Sequence, residues 1–364
     1  MVLCATDVII DTARNRAAYQ RLVDLVRSKR ALAFVGTGVT CPLGYPTWGT
    51  LITDLAAAVR AAHGEQLQSN GQEITVDQVL REFEHKPLVQ AQILKENLGD
   101  GYFPIMARLF GPKDRRIGPI ADLVSLPFKH LLTSNYDPSL EQHHYPPNEP
   151  VSISLHDPSA PQFIVEFADD NYTRRIVHVH GRYDEPQYMI LTEEDYRTYV
   201  RSAVLDDFWH VVPAAGRFVF FGFGFKDFDL LYTFRRRMAL QGNNPGLRHF
   251  AIMPLDNPAR ENTVTLSMRM EYGIEPVFFP HPGASFAEYD DLVSTLRADV
   301  SGKVPEQVAD AVAAATVAHL QIPEPGEPAA LAHELMADEV QQGIERLKEM
   351  TRENIARRQT GDLE

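Results

Sequence analysis

The feature that most constrains this chain is an alternation in its middle. Short apolar runs at "FKHLLTSNYD", "QFIVEFAD", "RRIVHVHG", "RFVFFGFG", "RHFAIMPLD" and "IEPVFFP" are bounded by turn residues or charges. Helical patterns fall between them at "DPSLEQ", "TEEDYRTYVRS", "DFDLLYTFRRRMAL" and "NTVTLSMRMEY". Several runs are apolar on both faces, as strands of a sheet covered by helices on both sides should be. Alternation of this kind predicts an α/β fold, a doubly wound and mostly parallel sheet. Ligands of such sheets lie in the crevice outside the carboxyl ends of the strands.

The flanking segments set the organisation. Upstream, Tyr19, Leu22, Val23, Leu25 and Val26 suit one helical face ending in "RSKR", and "ALAFVGTGVT" then reads as a buried strand entering a glycine turn. Helical spacing returns from Thr50 to Arg60 and from Val76 to about Leu126, broken by Gly99, Gly111 and Gly118. We read a helical insertion at about 51–126 within a Rossmann-like domain of residues 1–285. Beyond Ala284, "FAEYDDLVSTLRADV" and "PEQVADAVAAATVAHLQ" look helical, with "IPEPGEP" as a linker. Leu331, Leu335, Val340, Ile344 and Leu347 keep roughly helical spacing in the last segment. Residues 286–364 are therefore expected to form a C-terminal helical tail, either docked on its own domain or serving oligomerisation or partner binding.

Composition excludes several function classes. With 49 acidic against 35 basic residues the formal charge is −14, which disfavours direct nucleic-acid binding. The local exception, Arg235 to Arg237, reads as the solvated face of a helix. Two cysteines, Cys4 and Cys41, allow neither a disulfide framework nor a four-cysteine zinc site within one chain. The opening "MVLCATDVIIDTARNR" has no basic region or long apolar core, and no apolar run is long enough to span a bilayer. A cytoplasmic location without membrane attachment is the expectation.

Four motifs fall at expected strand ends. In "FVGTGVTCPLGYPTW", glycines after a buried strand let backbone approach a diphosphate, and Gly44, Pro46 and Trp48 form a rigid turn carrying an aromatic ring toward the same crevice. Turns also need glycine for conformation alone, and the spacing is not G-x-G-x-x-G. In "LLTSNYDPSLE", Ser134, Asn135 and Asp137 follow Thr133; Asp137 before Pro138 suits a helix cap with Glu141 in the first turn, which leaves Asn135 unexplained. In "IVHVHGRYDEP", alternation on a strand puts His178 and His180 on one face, as a metal pair, an acid/base group or packing. In "FVFFGFGFKDFDLL", Gly222 and Gly224 follow a strand, with Asp227 or Asp229 before the next helix.

Taken in order, these motifs resemble the sirtuin-like (Sir2-like) NAD-binding family, and within it the bacterial branch of anti-phage NADases that lacks the zinc module. The matching residues are Gly36, Thr37, Gly38, Val39 and Thr40 with Gly44 to Trp48, then Thr133 to Asp137, His180-Gly181, and Gly222, Phe223 and Gly224 followed by Asp227. They span about residues 30–280. Protein-deacylating sirtuins carry a four-cysteine zinc module after the H-G motif, where this chain has "RYDEPQYMILTEEDYRTYV". The serine and arginine usual in the first loop are replaced by Thr40 and the Trp48 region.

The resemblance implies an NAD glycohydrolase, with NAD as substrate and no metal. It implies Asn135, His180 and Asp137 as catalytic residues, and Gly36, Thr37, Gly38, Val39, Thr40, Pro46, Trp48, Thr133, Ser134, Gly222, Phe223, Gly224 and Asp227 as NAD-binding. Asn135 is expected to orient the ribose or the attacking water, His180 to act as base, and His178 to support it from the same face. It also implies an abortive-infection effector that depletes NAD, held as a homo-oligomer or by a regulatory partner: a HerA-type ATPase, a nucleotide-sensing hydrolase-like subunit or a short Argonaute. The competing readings are a sirtuin-type ADP-ribosyltransferase or deacylase, a metal-dependent hydrolase using His178 and His180, and a non-catalytic NAD or ADP-ribose sensor.

Overall fold

Strand β1, Ala31–Val35, is buried at all five positions and forms the centre of the sheet. The computed structural model describes residues 8–113, 118–143, 152–155, 160–167, 174–199, 201–225, 249–280 and 287–302. Helix α1, Ala13–Arg27, is capped by Thr12, whose side chain accepts from the Asn15 amide, and buries Leu22, Val23 and Val26. A left-handed Lys29 (φ 58°) then turns the chain into β1.

After β1 come the short helix α2, Thr37–Thr40, a 3₁₀ turn at Cys41–Leu43, and α3, Trp48–His63. A hairpin that the helical pattern did not announce follows, β2 (Gln66–Ser69) against β3 (Gln72–Thr75). The insertion continues as α4 (Val76–Glu82), α5 (Pro87–Leu98), α6 (Tyr102–Phe110) and α7 (Gly118–Ser125). Thr75 and Gln78 close a capping box at the start of α4. Gly99, at φ 51°, caps α5 in a conformation that side chains resist.

The remaining elements are β4 (Leu131–Thr133), α8 (Ser139–His143), β5 (Ser152–Ser154), α9 (Ala160–Phe167), β6 (Ile176–His178), α10 (Glu193–Tyr199), α11 (Ala203–Ala215), β7 (Arg217–Phe221), β8 (His249–Leu255), α12 (Glu261–Tyr272), β9 (Ile274–Pro280) and α13 (Ala287–Ser301). One expectation is overturned: "QFIVEFAD" falls on the helix α9, not on a strand. Phe163, Ile164 and Phe167 stand at positions i, i+1 and i+4, so a helix buries all three on one side, where a strand would divide them between faces. The helix proposed at "DFDLLYTFRRRMAL", Asp227, the Arg235 to Arg237 cluster and the tail beyond residue 302 lie outside the described residues.

Seven parallel strands run in the order β5-β6-β4-β1-β7-β8-β9, which is the doubly wound α/β, Rossmann-like architecture. Two apolar cores cover its faces. Ala31, Ala33 and Val35 join the core with residues of α1, α3, α7 and α13. Leu32 and Phe34 join the core with residues of α9, α11 and α12. Helix α13 buries Leu292, Val293 and Leu296 and packs on α1 and α7. Among the described residues no helix is long and apolar enough to cross a membrane.

Register fixes where the strands stop. Val35 pairs with Thr133 and with Phe221, and Thr133 pairs with His178, so β6, β4, β1 and β7 end level with one another. The chain reverses direction across the sheet beside β1, since β4 lies on one side of it and β7 on the other. That switch point is where open α/β sheets leave a crevice.

Candidate functional site

The four motifs stand just beyond these four level strand ends. Gly36 follows Val35, Ser134 and Asn135 follow Thr133, Val179 and His180 follow His178, and Gly222 follows Phe221. Residues far apart in the chain thereby become neighbouring loops on one edge.

Between β1 and β7 the contact is backbone on backbone. Gly36 donates its amide to the Phe221 carbonyl at 2.8 Å, and Gly38 donates to the Gly222 carbonyl at 2.9 Å. A Cβ on Gly36 would stand 2.6 Å from the Gly222 oxygen, and one on Gly38 2.8 Å from the same atom. Gly222 itself has φ +57°, and its Cβ would meet the Val39 amide at 2.5 Å. These three glycines are required to seat one loop on the other, a need the sequence could not separate from contact with a ligand. Thr37 is exposed at the start of α2, Val39 is buried, and Gly44 takes the left-handed conformation at φ 88°.

The rest of the first loop faces outward or the insertion. Tyr45 is buried and donates its hydroxyl to the Gly111 carbonyl at 3.2 Å. Pro46 is half-buried, and Trp48 is an exposed residue at the first turn of α3, which Thr47 caps. Beyond β7, the Phe223 ring packs edge-on against Phe34 at 5.2 Å, while Gly224 is exposed.

Between β1, β4 and β6 the contact is polar. Asn135 is 4% exposed. Its amide donates to Thr133 Oγ1 at 3.0 Å and its side-chain Nδ2 to Thr40 Oγ1 at 3.2 Å. Its backbone carbonyl accepts from His178 Nδ1 at 2.8 Å. The side-chain Oδ1 is buried with no hydrogen-bond partner among the described residues. Such an acceptor is costly to bury unless something fills it, which makes it a natural contact for a ligand hydroxyl or water. Ser134 beside it is half-buried.

Asp137 takes the capping role. It accepts from the Ser139 amide at 3.1 Å and, closely, from the Ser139 hydroxyl at the start of α8. Burial pushes its carboxyl pKa up, against the hydrogen bonds from Ser139 and the nearby His178. Its hydrogen bonds go to the start of the helix and not to Asn135.

The two histidines have different neighbours. Strand β6 ends at His178, and Gly181 at φ +86° bends the chain away; a Cβ there would stand 2.5 Å from the Tyr188 carbonyl. His178 turns to Asn135 and, through Nε2, to Glu141 Oε1 at 2.7 Å. His180 packs edge-on against Tyr196 and Tyr199 of α10, with ring centroids 5.6 and 5.5 Å away. Among the described residues no three His, Cys, Asp or Glu side chains gather as a metal site.

Glu141 and Ser152 were not foreseen at this site. Glu141 was legible only as an acidic residue in the first turn of α8, and the pairing of β4, β6 and β5 is what brings His178 and Ser152 to it. Burial alone would raise the Glu141 pKa, but the charge and hydrogen bond of His178 and the Ser152 hydroxyl at 2.5 Å hold it below the usual range. Burial likewise opposes a charged His178, and Glu141 with the Asn135 carbonyl outweighs it, so the His178 pKa is raised.

Residues 129–277 match the SIR2-like domain. The match runs from the second residue before β4 into β9 and so takes in Asn135, His178, His180 and Gly222, while the Gly36–Trp48 loop lies before it. It supports a Sir2-like family, whose domains bind NAD, and suggests NAD-related activity. Among curated proteins none matches the chain.

Proposed function

We propose that this protein is an NAD glycohydrolase that splits NAD into nicotinamide and ADP-ribose. The observation that carries the reading is the Oδ1 of Asn135, without a partner among the described residues and buried at the carboxyl edge of the central strands, level with the Gly36 and Gly222 loops. A neutral acceptor suits a ribose hydroxyl or a water molecule, both of which bring a proton to it.

In this reading the bond from the anomeric carbon to the nicotinamide nitrogen breaks, and its electron pair leaves with the ring, which becomes neutral. The water oxygen bonds to the anomeric carbon and its proton passes to His180 as base. Asn135 orients the ribose or that water, so catalysis is chiefly positioning and stabilisation of developing positive charge. Thr40 holds the Asn135 amide, and the glycine contacts set the first loop beside it. The aromatic walls supplied by Tyr196 and Tyr199 limit how far the His180 ring turns. Water is favoured over an acyl-lysine peptide because no cysteine follows Cys41, leaving the chain without the module that supports peptide binding in deacylating relatives.

We further propose that the activity serves defence by NAD depletion and is restrained by self-assembly or by a partner protein. An unrestrained enzyme of this kind would exhaust its own cell. The test is incubation of the purified protein with NAD, alone and with the product of the neighbouring gene, followed by mass spectrometry. Nicotinamide and ADP-ribose in equal amounts are expected. Transfer of ADP-ribose to a protein, or no release under either condition, would overturn the reading.

A further inference from the structure

His178 and Glu141 have no part in the chemistry assigned to Asn135 and His180, yet they form the most heavily buried ion pair of the site, at 1% and 20% side-chain exposure. The protons can be placed from their partners. The Asn135 carbonyl only accepts, so His178 Nδ1 carries a proton. Glu141 Oε1 already receives the Ser152 hydroxyl and lies 2.7 Å from Nε2, a contact suited to a second N–H and a carboxylate. The pair is therefore imidazolium against carboxylate. Two further charged groups face His178: Asp137 from the turn before α8, which favours its charge, and Arg182 from the loop after β6, which opposes it.

A buried ion pair adds little stability over apolar packing, so its use lies in what it fixes. Here it fixes Asn135. The backbone amide is held by Thr133, the side-chain amide by Thr40 and the carbonyl by His178, which leaves Oδ1 as the residue's one polar atom without a partner among the described residues.

We infer that Glu141 and His178 are a positioning dyad, a charged brace behind the Asn135 peptide that aims Oδ1 at the ribose. The inference rests on the proposed NAD chemistry and extends it to two residues that do not touch the substrate. His178→Asn keeps an amide nitrogen about where Nδ1 stands and loses the Glu141 contact; His178→Ala loses both. Glu141→Gln keeps the shape and removes the charge.

The experiment measures nicotinamide release and calorimetric ADP-ribose binding for these three variants across pH. His178→Ala is expected to lose ~100-fold in kcat with KM changed by less than ~3-fold, as positioning effects do. His178→Asn should recover ~10-fold of that loss. In the wild type the rate falls as pH rises and His178 loses its charge; in Glu141→Gln the fall moves to lower pH. A purely structural pair would weaken folding in both His178 variants alike and leave the pH profile in place. Equal activity of His178→Asn and His178→Ala, or a Glu141→Gln profile superimposed on the wild type, would overturn the dyad. Should His178→Ala not fold, the Glu141→Gln profile decides. If the wild type binds ADP-ribose but releases no nicotinamide, the hydrolase reading falls and the dyad is judged on the pH dependence of binding, expected to shift in the same direction. If the wild type neither binds nor hydrolyses, both fall.

Discussion

The loop after β1 meets its two neighbours in opposite ways. Toward β7 it is glycine against glycine, with no room for a Cβ and no ionisable group at the contact. Toward β4 it is Thr40 against Asn135, with an ion pair behind and the Asn135 Oδ1 acceptor without a partner among the described residues. The first contact is a matter of shape and is complete in itself. The second is a matter of polar pairing and is complete only with something added. The difference separates scaffold from site: residues that look alike as strand-end motifs divide by whether their requirements are met within the protein.

Substitutions should respond accordingly. On the polar side, His180→Ala removes the proposed base and is expected to lower nicotinamide release by ~10²–10⁴-fold. A loss matched by a fall in unfolding midpoint large enough to explain it would mean that His180 is packing for Tyr196 and Tyr199 instead. On the glycine side, Gly222→Ala must place a Cβ 2.5 Å from the Val39 amide at φ +57°. Urea denaturation should show a loss of about 3 kcal/mol, equal at every pH because no charge is involved. Wild-type stability in the Gly222→Ala variant would show that the two loops are less tightly joined than the contact indicates.

The ion pair sharpens the contrast because its stability contribution depends on pH. Glu141, with its pKa lowered, stabilises above its ordinary 4.5 and loses this as pH falls through the folded value. His178, with its pKa raised, stabilises fully below its ordinary 6.5 and loses this as pH rises through the folded value. The wild type should therefore exceed Glu141→Gln most between about pH 4.5 and 6.5, by about 1.5–2 kcal/mol, and less on either side. A difference that is flat with pH would contradict the ionised pair. The smallest effect is expected from Lys95→Ala, which breaks a partly exposed bridge at 2.9 Å to Asp195 of α10 and should cost under about 1 kcal/mol in denaturation.

Much of the scaffold was legible in the sequence because burial on both faces leaves an uninterrupted apolar run. β1 is such a run, β7 is one after Arg217, and β8 and β9 hold the shorter runs Phe250–Met253 and Val277–Phe279. Helix α9 was misread because "QFIVEFAD" is too short for its period to show, and the hairpin at 66–75 carries too few apolar residues to announce itself. Strand-end motifs marked Asn135, His180 and the glycines, since turn chemistry is local. Glu141 and Ser152 could not be found that way. Glu141 meets His178 across 37 residues of chain through strand pairing, and neither Glu141 nor Ser152 departs from an ordinary helix or strand residue. The glycines were legible as constrained, but the partner of Gly36 and Gly38, which is Gly222 far along the chain, appears only in the fold.

The central claim is that the Asn135 Oδ1 acceptor is where substrate is held. Nicotinamide release by the wild type and by Asn135→Ala, measured side by side under activating conditions with unfolding midpoints recorded for both, tests it most directly. The account predicts a loss of at least ~10²-fold with the fold intact, as for removal of an orienting group at a reacting centre. Release by Asn135→Ala at the wild-type rate would contradict it.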